Sequence, residues 1–201
     1  MKAGLVGAAP TQMTLDPNLP YIGVDGGVET LLSQGIMPMV VVGDYDSLKD
    51  KNCLKKIKNI QLPQQKDETD TAIAIEYLLS NGYNDIVLYG VTGGRLDHFL
   101  AVLCMLKKYR DHSLTILDEQ NKIYLLKAGK HCIHKQGYRY LSFFTDQDTY
   151  ITIKGCVYPL DQYLLKNNDP LCVSNEICNE TCEIEITNDV IVVQSNNKGG
   201  I

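Results

Sequence analysis

Aspartates stand at four places in the first half of the chain, at three of them crowded together with glycine. These are Asp25-Gly26-Gly27, Gly43-Asp44-Tyr45-Asp46-Ser47, Lys66-Asp67-Glu68-Thr69-Asp70 and Gly90-Val91-Thr92-Gly93-Gly94-Arg95-Leu96-Asp97-His98. Asp25, Asp44, Asp46, Asp70 and Asp97 would repel one another strongly if the fold gathered them on one rim. A hard divalent cation removes that repulsion. Magnesium takes one or two carboxylates directly and fills its shell with water and substrate phosphates. The glycines let backbone N–H groups approach phosphate oxygens closely. Arg95, beside a Gly-Gly turn, is suited to hold phosphate oxygens bidentately. Together these residue types point to Mg2+-assisted transfer of a phosphate-containing group.

Each segment also has a plain structural reading. Asp-Gly-Gly is a common turn, and Asp44 or Asp46 could cap a helix or shape a loop. Asp70 could be a helix N-terminal charge favoured by the dipole. His98 could be a helix residue with a local hydrogen bond. Joint placement is what favours chemistry, and that depends on the elements that carry the segments.

Those elements alternate. The N-terminal run Ala3-Gly4-Leu5-Val6 reads as a first buried strand. Tyr21–Val24, Met39–Val42, Ile86–Tyr89 and Leu114–Leu117 read as further strands, dense enough in branched residues to be buried on both faces. Helical spacing appears over Glu29–Gln34, stopped by Gly35, and over Thr69–Ser80, stopped by Asn81-Gly82. Leu96, Leu100, Leu103 and Leu106 have the same spacing within a helix over Leu96–Tyr109. The alternation predicts a parallel sheet with helices on its faces, where ligands collect at the carboxyl ends of the strands. Three of the acidic segments stand at such ends, and the fourth opens a helix.

The pattern changes at Glu119. From Lys122 onward short β-rich pieces follow one another, and Glu183-Ile184-Glu185-Ile186 alternates with period two. The expected architecture is an α/β parallel-sheet domain over residues 1–118, followed by an all-β, sandwich-like domain over residues 119–201.

Composition narrows the class. The chain has 201 residues, 44% hydrophobic and 21% charged, with net charge −5. That is ordinary globular protein with no basic face for nucleic acid. No apolar stretch approaches the ~20 residues of a membrane span. The seven cysteines are odd in number and contain no Cys-x-x-Cys pair; they suit a reduced, cytoplasmic protein. Cys172, Cys178 and Cys182 with His131 and His134 do not match the spacings of compact zinc modules. The chain lacks Gly-x-x-x-x-Gly-Lys-Ser/Thr, and Gly-x-Gly-x-x-Gly is missing after the first strand, so neither common nucleotide device is present.

Taken in order and spacing, Asp25-Gly26-Gly27, Gly35-Ile36-x-Pro38, Gly43-Asp44-Tyr45-Asp46-Ser47, Lys66-Asp67-x-Thr69-Asp70 and Gly93-Gly94-Arg95-x-Asp97-His98 resemble the thiamine pyrophosphokinase family. The likeness is strong over residues 20–110 and weaker through Val173-Ser174-Asn175-Glu176. It implies transfer of pyrophosphate from ATP to the hydroxyl of thiamine, giving thiamine diphosphate and AMP. It implies an ATP-binding catalytic domain, a thiamine-binding β-sandwich, and a homodimer with active sites at the subunit interface. Asp25, Asp44, Asp46 and Asp70 would serve the metal; Asp46, Asp70 and Asp97 would be catalytic. Gly26, Gly27, Ser47, Thr69, Gly93, Gly94, Arg95 and His98 would bind the nucleotide, and Ser174 and Asn175 would lie by thiamine. Three departures stand out: Tyr45 replaces the usual phenylalanine, Met39 an aspartate, and Gly155-Cys156-Val157-Tyr158-Pro159-Leu160 lacks the lysine of bacterial relatives.

Overall fold

A computed structural model of the chain describes residues 1–44, 57–62 and 67–197. The chain divides into two compact units, Met1–Glu119 and Gln120–Ile201.

In the first unit the described strands are β1 (Lys2–Val6), β2 (Tyr21–Val24), β3 (Val40–Gly43), β4 (Asn59–Gln61), β5 (Asp85–Tyr89) and β6 (Ser113–Leu117). They lie in the order β4-β3-β2-β1-β5-β6, and every pair is parallel. Strands β2 and β3 are buried along their whole length, and β1 and β5 are buried after their first residue. This is why they read as continuous apolar runs rather than alternating ones. The helices are α1 (Gly27–Ser33), α2 (Asp70–Ser80) and α3 (Leu96–Lys108).

Helix limits follow from local chemistry. Thr69 Oγ1 accepts the Ala72 N–H at 3.2 Å and caps α2, satisfying one of the donors a helix start leaves open. Gly35, at φ +72°, takes the left-handed turn after α1. In α3 the buried residues are Val102, Met105 and Leu106, whereas Leu96 and Leu100 are 77% and 59% exposed. Equal spacing groups leucines on one stripe but does not say whether anything covers the stripe.

The second unit contains β7 (Asn121–Leu126), β8 (Gly129–His134), β9 (Tyr140–Phe144), β10 (Thr149–Lys154), β11 (Leu160–Leu165), β12 (Thr181–Ile186) and β13 (Val190–Ser195). Antiparallel pairing orders them β7-β13-β9 and β11-β10-β12-β8. Residues from both sets, among them Phe143, Val192, Ile151, Ile153 and Ile184, share one buried cluster. That is the sandwich arrangement, with inner faces interdigitated. No described helix is long and apolar enough to cross a membrane.

Candidate active site

The strand order places the topological switch at β1, whose neighbours are β2 on one side and β5 on the other. Crevices in open parallel sheets form at the carboxyl ends of such strands. A cavity of about 620 Å³ lies there, lined by the loop Gly7–Pro10 after β1, by Asp25 after β2, and by Gly90, Val91, Gly94 and Arg95 after β5. Thr69 and Thr71 at the start of α2, and Asp97 and His98 in the first turn of α3, complete the polar lining.

Close backbone approach builds the crevice. Gly7 N–H donates to Tyr89 O at 2.8 Å and Ala9 N–H to Gly90 O at 2.9 Å. Gly90 has φ +61°, and a Cβ there would stand 2.7 Å from Gly7 O. The loops after β1 and β5 therefore run against each other because neither carries bulk at the contact. Asp25 is held at φ +47°, a conformation aspartate tolerates better than most residues. Its Oδ1 is buried, and a Cβ on Gly43 would collide with it. Gly43, the last residue of β3, thus lies against the Asp25 carboxyl.

Arg95 and Asp97 form a bidentate pair, Nε to Oδ1 at 3.1 Å and Nη2 to Oδ2 at 2.6 Å. Asp97 Oδ1 also accepts the His98 N–H at 2.9 Å. The Arg95 hydrogen bond holds the Asp97 carboxyl below the usual carboxylate range. Both side chains are well exposed, so the pair is open to exchange with an incoming phosphate.

Of the residues singled out from sequence, Asp25, Thr69, Gly94, Arg95, Asp97 and His98 border one cavity. Gly26, Asp70 and Gly93 are not on its wall but are next in sequence to residues that are, and Gly27 stands against Gly7 of the wall. Asp44 is not on the wall; it follows Gly43, which lies against Asp25. Asp46 and Ser47 lie outside the described residues. Among the described residues no three His, Cys, Asp or Glu side chains stand close enough to hold a metal by themselves. The carboxylates nonetheless suit a hard cation that takes few protein ligands and draws the rest from phosphate and water. The Gly7–Pro10 loop was not singled out from sequence. Its signal was present in the glycine and proline that end the first strand, without any charged residue to mark it.

In the second unit Ser174 is exposed at φ +60°. Asn175 is buried, and its amide grips the backbone of Tyr158: Nδ2 donates to Tyr158 O at 2.8 Å and Oδ1 accepts Tyr158 N–H at 3.0 Å. Oδ1 also accepts the Glu176 N–H at 2.9 Å. Tyr158 and Asn175, with Leu171, Cys172 and Val173, border a separate hollow of about 290 Å³. Asn175→Ala should leave the part-buried backbone groups of Tyr158 and Glu176 unpaired and cost about 1–2 kcal/mol, read as a lower urea midpoint. An unchanged midpoint would mean that this grip is not formed.

Known proteins resolve the class. Residues 14–117 match the family model for the thiamin pyrophosphokinase catalytic domain, and residues 130–192 match that for the thiamin pyrophosphokinase vitamin B1 binding domain. The thiamine pyrophosphokinase of Bacillus subtilis is 31% identical over 187 residues, spanning 89% of this chain and 87% of that protein. A crystal structure of the Bacillus subtilis enzyme superposes with a TM-score of 0.90 at 28% identity, covering 98% of this chain and 100% of that one. The Geobacillus thermodenitrificans protein gives 0.88, also at 28% identity, with both chains fully covered. The fold and the paired domain models define an enzyme of the diphosphokinase class, a transferase with a catalytic α/β part and a β-sandwich part. The chain belongs to the thiamin pyrophosphokinase family.

Proposed function

We propose that the chain transfers the pyrophosphoryl group of ATP to the hydroxyl of thiamine, releasing AMP, with Mg2+ as its metal. The observation that supports this most is the single cavity to which separate chain segments bring Asp25, Thr69, Gly94, Arg95, Asp97 and His98. The thiamine oxygen attacks the β-phosphorus of ATP in line, the bond from that phosphorus to the bridging oxygen of AMP breaks, and AMP leaves with the electron pair. Gly93 and Gly94 offer backbone donors to the phosphates, while Gly26, Gly27 and Thr69 shape the floor and rim beneath them. Arg95 exchanges part of its bond to Asp97 for phosphate oxygens. Asp25, Asp44, Asp46 and Asp70 are the residues that would hold Mg2+, which when bound offsets charge on the phosphate oxygens. One aspartate near the acceptor, Asp97 or Asp70, is assigned to orient the acceptor hydroxyl and take its proton. Arg95 makes Asp97 a weaker base than an ordinary carboxylate, so positioning contributes more than proton removal.

Ser174 and Asn175 are assigned to the thiamine side, with Asn175 acting by placing Tyr158, whose exposed ring suits a cation by cation–π attraction. A homodimer with active sites at the subunit interface is part of this reading. The exposed Leu96 and Leu100 on the helix that follows Arg95 support it, as an apolar stripe suited to a second copy. Cytoplasmic placement is supported by free thiols at Cys104, Cys132, Cys156, Cys172, Cys178 and Cys182.

Protein mixed with ATP, Mg2+ and thiamine should yield AMP and thiamine diphosphate in equal amounts, resolved by chromatography. ADP in place of AMP, or no product unless another acceptor is supplied, would overturn the assignment.

A further inference from the structure

Two adjacent carboxylates at the end of β6 hold the two loops that wall the cavity. Asp118, 9% exposed, accepts the Thr92 hydroxyl at 2.7 Å. Thr92 stands between Val91 and Gly94, both on the cavity wall. Glu119 Oε1 accepts the Thr11 hydroxyl at 3.0 Å and the Gln12 backbone N–H. Thr11 follows Pro10, the last wall residue of the other loop. Burial works to raise the Glu119 pKa, but the hydrogen bonds from the Gln12 N–H, the Glu119 backbone and Thr11 outweigh it, leaving the carboxyl below its usual range.

Neither carboxylate lines the cavity, so neither touches a ligand held there. Their place is behind the walls. The loop after β5 is rich in glycine, with Gly90 and Gly93 both at positive φ. Such a loop has many accessible conformations, and a fixed side-chain bond selects one of them. The loop after β1 has the same need, since apart from its contact with Gly90 its outer end is held by Glu119.

We propose that Asp118 and Glu119 are positioning residues that fix the two loops at the spacing a nucleotide phosphate chain requires, with Thr92 and Thr11 as their grips. This rests on the ATP-dependent reading above. A charge-assisted hydrogen bond is stronger than a neutral one, so its loss should be visible in substrate binding. The effect belongs to the nucleotide rather than to thiamine, because the loop after β5 brings the Gly93 and Gly94 backbone to the phosphate side and neither loop carries an aromatic face for a ring cation.

The test uses the full-length chain with steady-state kinetics varied separately in ATP and thiamine. Thr92→Val keeps the shape and removes the hydroxyl. It should raise the ATP KM by about tenfold, with the thiamine KM within about twofold of the parent. Thr92→Ser restores the hydroxyl and should restore the ATP KM. Glu119→Ala should move the ATP KM in the same direction as Thr92→Val. A Thr92→Val protein that folds with the parent's urea midpoint and keeps the parent's ATP KM overturns the proposal. So does a rise in KM for both substrates, or a Thr92→Ser protein that behaves like Thr92→Val. If the parent chain itself makes no AMP, the ATP-dependent reading fails instead, and the two failures are told apart by the parent's own assay.

Discussion

Asp25→Asn should lower kcat by at least ~100-fold, a loss of roughly 2.7 kcal/mol in transition-state stabilisation. The substitution is chosen to leave the fold alone. Asparagine tolerates positive φ as readily as aspartate, so the strained turn at φ +47° can persist. The amide has the same outline as the carboxylate and can occupy the space that Gly43 leaves open. What is removed is one negative charge beside the β2 and β3 ends, where the proposed reaction would hold phosphate and Mg2+. Turnover is read as AMP formed per minute at saturating ATP and thiamine, and the urea midpoint is measured on the same preparation. A midpoint near the parent's with turnover also near the parent's would remove Asp25 from the metal and phosphate centre. Asp46→Asn should act in the same direction; its support is the Gly43-Asp44-Tyr45-Asp46-Ser47 motif, since Asp46 lies outside the described residues.

Much of this site could be read before the fold was seen, for a definite reason. Parallel strands buried on both faces announce themselves as branched apolar runs, and their last residue fixes where a following Asp-Gly or Gly-Asp must stand. The runs ending at Val24, Val42 and Tyr89 therefore placed Asp25, Asp44 and Gly90 at one edge of the sheet. The structure adds what spacing cannot carry. Strand β8 has a single buried position, Ile133, and β11 is exposed or half-exposed until Leu165, so neither shows an alternation. Strand β4 has three residues and none is buried. In α3 the leucine spacing was plain, but the residues the helix buries are Val102, Met105 and Leu106, of which only Leu106 belongs to that leucine series.

The support behind the site was silent for a different reason. Asp118 and Glu119 carry no glycine or motif, and their role comes from the partners β6 brings them to, Thr92 and Thr11, which are far from them in sequence. Asn175 shows the same thing from the other side. The family resemblance assigned it to the thiamine side, and nothing in the sequence shows that its side-chain amide also holds the Tyr158 and Glu176 backbone groups. A polar residue type announces a hydrogen bond but does not say whether the partner is ligand or chain.

Gly27→Ala should be the most destabilising single methyl addition in the catalytic unit, at about 3 kcal/mol or more. Gly27 is the first residue of α1, and the atoms its Cβ would meet are backbone: it would collide with Val6 O, and stand 2.6 Å from Val6 C and 2.8 Å from Gly7 O. A side chain could rotate away from such a contact, but the carbonyl of a central strand cannot. Strand β1 is hydrogen-bonded to both β2 and β5, so moving Val6 disturbs two ladders at once. The comparison that isolates this cause is Gly35→Ala. Gly35 sits at φ +72° with open space around its Cβ position, so its substitution meets only the left-handed penalty of about 1–2 kcal/mol. Urea unfolding should therefore rank the parent above Gly35→Ala, and Gly35→Ala above Gly27→Ala. The same displacement would carry Gly7 and the wall that follows it away from Gly90, so folded Gly27→Ala protein should also show a raised ATP KM that Gly35→Ala does not share. If Gly27→Ala proved as stable as Gly35→Ala, α1 would not be seated on the end of β1, and the floor assigned to the phosphate site would have to be placed elsewhere.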